Sequence, residues 1–65
     1  MASWERGLIA ELTRLAGGEN PVEKIDYEGK LIVIKSDARL EPEVLRWADQ
    51  EVSRVAAGYR VVQLT

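Results

Sequence analysis

Ser36, Asp37, Glu41 and Glu43 are the residues of this chain whose types and spacing could do chemistry together, with Arg39 among them. Three carboxylates within seven positions could hold a magnesium ion or divide the roles of acid and base. Ser36 and Asp37 also follow the apolar run Leu31-Ile32-Val33-Ile34 and precede a proline-led helix signal. That is the carboxyl end of a strand, where open α/β sheets place ligands, and Arg39 would be the natural contact for an anion. Against this, Ser36-Asp37-Ala38-Arg39-Leu40 contains no glycine to let a backbone close around a phosphate. Carboxylates in the first turn of a helix also complement its dipole without any ligand. The chain has no Cys and no His. Thiolate nucleophiles, Ser-His-Asp triads and transition-metal sites all depend on one or the other. The chemistry-bearing residues therefore point away from an enzyme, and to no cofactor and no metal.

A second constellation is basic and aromatic. Lys24, Lys30, Lys35 and Arg60 could line one side of a sheet, with Tyr27 and Tyr59 as platforms on which bases stack. The same cations serve equally as solvated positions and as gatekeepers on strand edges. Nine Lys and Arg against eleven Asp and Glu give a formal charge of −2, and no Phe is present, so no broad field attracts a polyanion. Nucleic-acid binding is the alternative reading.

Trp47 is the third feature. At about 100° per residue it falls away from the apolar stripe of its helix and beside Glu43, Glu51 and Arg54. A partly exposed tryptophan is the residue type that dominates interface energetics, because a large rigid apolar body loses little entropy on burial. It also suits a boundary position over a helix edge. Trp4 lies within its own helix stripe and is expected in the core.

The elements that position these residues follow from periodicity. Trp4, Leu8, Leu12 and Leu15, flanked by Ile9 and Ala16, predict an amphipathic helix over Trp4–Ala16, capped by Ser3 and stopped by Gly17-Gly18. Gly7 breaks that pattern: either the first turn frays or something packs against it. Val22–Tyr27 alternates as an edge strand, with Ile25 and Tyr27 on one face and Lys24 and Asp26 on the other. Glu28-Gly29 predicts a short hairpin to Leu31–Ile34, whose two pairs, Leu31 with Val33 and Ile32 with Ile34, point to opposite faces. Glu41-Pro42-Glu43 opens a second helix whose buried stripe is Leu45, Ala48, Val52, Val55 and Ala56, and Gly58 ends it. Tyr59–Leu64 is the last strand. The expected fold is a single α+β domain over residues 1–65: two layers, helix-strand-strand-helix-strand, with a three-stranded mixed sheet.

A chain of 65 residues buries only about 60% of its extended surface, and its core alone gives little net stability. Disulfides and zinc, the usual staples, need the Cys and His it lacks. Association is the remaining staple, so a homodimer is expected, formed through an uncovered sheet face or an exposed strand. The start, Met1-Ala2-Ser3-Trp4-Glu5-Arg6, leads into a charged amphipathic stretch, not a signal peptide or membrane span, and the expected location is cytoplasmic.

The stretch Leu31 to Leu64, read as an apolar strand, Arg39-Leu40-Glu41-Pro42-Glu43, a helix and Gly58-Tyr59-Arg60-Val61-Val62, is similar to short proteins encoded by tailed phages and prophages. The similarity covers about half of the chain, and that group has no common activity to carry over. What the resemblance implies is an interaction role, as a small accessory or inhibitor protein that binds a host or phage protein. Taken together, the expected function is a non-enzymatic protein-protein interaction module. Its expected interaction residues are Trp47, Ile32, Ile34, Tyr27, Tyr59 and Arg54.

Overall fold

The computed structural model describes residues 3–65. Met1 and Ala2, read above as the start of a stretch that is no signal peptide, lie outside them. Helix α1 spans Ser3–Leu15, strand β1 Val22–Asp26, strand β2 Leu31–Ile34, helix α2 Pro42–Val55 and strand β3 Arg60–Gln63. The sheet order is β1-β2-β3, with β1 antiparallel and β3 parallel to β2. This is the expected mixed sheet and element order. No helix of the described residues is long and apolar enough to cross a membrane.

Both helix ends follow from local chemistry. At the end of α1, Gly18 N–H donates to Thr13 O at 2.8 Å and Gly17 N–H to Arg14 O at 3.2 Å, with Gly17 at φ +88°. This is the paired Schellman closure, which needs a left-handed residue at Gly17. Ser3 is the first helical residue and not the cap. Pro42 begins α2, where its missing N–H costs nothing, and Glu41 is the capping position without a side-chain cap bond.

The core is sealed on one face of the sheet. Leu8 and Leu12 of α1, Ala48 and Val52 of α2, and Val22, Ile32 and Ile34 of the sheet form one buried cluster. Each buried Leu, Ile or Val removes apolar surface worth about 1.5–3 kcal/mol from water. Ile32 and Ile34 are fully buried. They were expected at an interaction surface, and the structure corrects that: the helices cover this pair, so Leu31 and Val33 carry the opposite face.

Two local departures alter the hairpin. The register shifts between Val22 and Lys24, so Glu23 is the extra residue of a bulge, and Val22 and Ile25 both reach the helix-covered side. The β1–β2 connection is four residues, Tyr27 to Lys30, not a tight two-residue turn. Asp26 Oδ1 accepts the Gly29 N–H at 3.0 Å, and Lys30, not Gly29, takes the left-handed conformation at φ 56°. Tyr27 thus belongs to the turn and not to the strand.

Candidate functional site

The sheet face away from the helices is built by register. Cross-strand partners share a side of the pleat, so this outer face reads Asp26–Leu31–Arg60 in one row and Lys24–Val33–Val62 in the next. Val62 is 39% exposed, and Leu64, on the same side by alternation, 46%. Val33 is 5% exposed yet stands outside the cluster that the helices seal. The result is an apolar centre with Asp26 and Lys24 on one flank and Arg60 on the other.

Each edge of this sheet carries features that discourage strand addition. Along β3, Arg60 N–H and Leu64 N–H bond to Lys30 O and Ile34 O, so the alternate Val61 N–H points outward. It donates to Asp49 Oδ1 at 2.9 Å, and the same carboxylate holds the Arg60 guanidinium, with Nε at 2.8 Å. These two bonds, the guanidinium first, hold the Asp49 carboxyl below the ordinary aspartate range. The β1 edge carries the bulge and exposed Glu23 and Lys24, two devices that discourage strand addition.

A groove of about 320 Å³ opens at the seam of the two helices. Leu8 and Val52, both buried, form its floor, and Trp4 with Gly7 and Trp47 with Val55 form its sides. α1 continues as regular helix through Gly7, and nothing lies within 4 Å of where a Cβ would stand there. A mid-helix glycine costs about 1 kcal/mol relative to alanine, and no group of the described chain needs the space. Glu11 and Glu51 line the same groove, each bonded to an arginine three residues on, Arg14 and Arg54. The arginine side chains are 66% and 69% exposed. The Arg14 hydrogen bond holds the Glu11 carboxyl below its usual range, so it is charged at neutral pH.

The expected interaction residues therefore separate. Trp47, 37% exposed, is partly solvent-facing as expected, and Arg54 lies one turn beyond Glu51. Tyr27 reaches back to α1, where its hydroxyl donates to the buried Glu5 at 2.5 Å, and this bond raises the Tyr27 pKa. Tyr59 packs edge-on against Trp4, with ring centroids 5.3 Å apart, and so faces the helices. The two tyrosines expected to stack bases do not flank the outer sheet face, and Arg60 is already held by Asp49. Lys24, Lys30, Lys35 and Arg60 are thus not one strip beside aromatic platforms.

The strand-end candidate is a small polar pocket of about 160 Å³, which Asp37 and Arg39 line with Lys35 and Glu19. Charges of both signs meet there, so the pocket favours no ligand charge. Among the described residues no group of three or more acidic, His or Cys side chains could hold a metal ion, and no buried side-chain N or O lacks a hydrogen-bond partner. The groove was missed by periodicity, although Gly7 marked it. Comparison of the chain with protein-family models, with curated proteins and with solved structures finds no match.

Proposed function

We propose that this chain is a non-enzymatic protein-interaction module whose outer sheet face packs against a second copy of itself. The observation that carries the reading is that face: Leu31, Val33, Val62 and Leu64 form an apolar centre on a sheet whose two edges carry features that discourage strand addition. The resemblance to short phage-encoded proteins supports an interaction role as well. Self-complementarity of the apolar row favours a second copy as occupant. A two-fold axis parallel to β2 lays Leu31 over Leu31, Val33 over Val33 and each Asp26 over the Arg60 of the other copy, an isologous arrangement.

The size of the face sets the strength. Strands about 4.8 Å apart and about 3.3 Å per residue give three short strands a face of roughly 15 by 15 Å. That lies below the roughly 800 Å² per partner of a standard interface, so association in the micromolar range or weaker is expected. Sedimentation equilibrium from micromolar to millimolar concentration tests it. The wild type should show a monomer–dimer equilibrium that Val62→Glu abolishes with the circular dichroism unchanged. A wild type that stays monomeric over the whole range overturns the reading.

A further inference from the structure

The helix-seam groove is a second surface, separate from the sheet face, and its composition is selective. Two indoles and two carboxylates line it, and no cationic residue does. The arginines that pair with Glu11 and Glu51 extend into solvent, and exposed ion pairs of this kind exchange readily for a better-placed cation. An indole face attracts a cation through its quadrupole, and an apolar floor suits the methylene stem that carries the charge in a basic side chain. The opening at Gly7 leaves the α1 wall free for that stem.

We propose that the groove between α1 and α2 binds the basic side chain, lysine or arginine, of a protein partner, with its stem over Leu8 and Val52 and its charge among Trp4, Trp47, Glu11 and Glu51. The volume accommodates one such side chain with room for its backbone attachment. The groove's net character, acidic rim on an apolar floor, discriminates against acidic and against purely apolar residues at the same position. This site does not depend on pairing through the sheet.

The test uses the full chain and short capped peptides that present a central lysine, arginine or norleucine, followed by the indole N–H signals of Trp4 and Trp47 in NMR titrations. Both basic peptides should shift these signals saturably and bind at least tenfold more tightly than the norleucine peptide, which has the stem without the charge. Glu51→Gln and Trp47→Ala should each weaken binding several-fold. Gly7→Ala should raise the melting temperature while reducing binding, a combination that a merely structural role for Gly7 does not produce. Equal affinity for norleucine, no saturable shift, or tighter binding of free choline than of the basic peptides overturns the proposal. Because Val62→Glu removes sheet pairing and leaves the groove intact, repeating the titration on that variant separates failure of this site from failure of the dimer.

Discussion

The two faces of the sheet are made from the same strand, and they differ in what covers them. Ile32 and Ile34 lie under two helices and are fully buried, whereas half-buried Leu31 and Val33, 5% exposed, face away from the helices in rows that end in Arg60 and in exposed Val62. Sequence composition is nearly identical on the two sides of β2. Packing, not hydrophobicity, makes one side a core and the other a surface. The lesson is that a run of four aliphatic residues announces two apolar faces, but the crossing of the helices decides which is left over.

The largest effect should sharpen this contrast. Ile32→Ala removes a fully buried side chain and should cost about 2–5 kcal/mol, against a total stability of roughly 3–10 kcal/mol for a domain of this size. Val62→Ala should cost less than about 0.5 kcal/mol in dilute solution, and its effect should grow with protein concentration. Urea melts of both variants at low and high concentration check this. Equal costs at low concentration would break the contrast, by showing that the outer face is already covered within one copy.

An intermediate effect concerns the border of the outer face. Asp49→Asn weakens the hold on Arg60 and on the Val61 N–H and should cost about 1–2 kcal/mol. The wild-type carboxyl titrates lower when folded than when unfolded. Its contribution is therefore full above the ordinary aspartate value of about 3.9 and is lost as pH falls through the lowered folded value. Melting temperatures of wild type and Asp49→Asn should converge in acid. A difference that persists unchanged below that range would assign the stabilisation elsewhere.

The smallest effect serves as a control on both faces. Lys30 holds a left-handed conformation that glycine adopts without strain, so Lys30→Gly should stabilise by about 0.5–1 kcal/mol. The gain is held to that size because the Lys30 stem lies close to Gly58 and is lost with the substitution. Association measured by sedimentation should not change, since the hairpin turn is no part of the apolar row.

Much of this was legible in the sequence. Pro42 and the Gly17-Gly18 pair marked helix limits because their backbone restrictions act locally, and the element order followed from periodicity alone. Trp47 was placed correctly because helix angles need no tertiary knowledge. The side of β2 that stays open was not legible, since alternation gives two faces without saying where the helices cross. The bulge at Glu23 and the left-handed Lys30 were hidden for a related reason: each is imposed by how β1 must meet β2, and neither residue type favours it. Gly7 was visible as a cost without a cause. The groove that it lines exists only once α2 lies alongside.

Asp49 has a consequence for stoichiometry. A module with a sticky face and a free strand edge could add copies indefinitely, one sheet extending the next into a fibre. Here a carboxylate caps the outward Val61 N–H of β3, and the two-fold contact proposed for the outer face would be used up at two copies. Protonating that carboxylate would do more than destabilise the monomer. It would uncap that N–H and remove one obstacle to strand addition along β3.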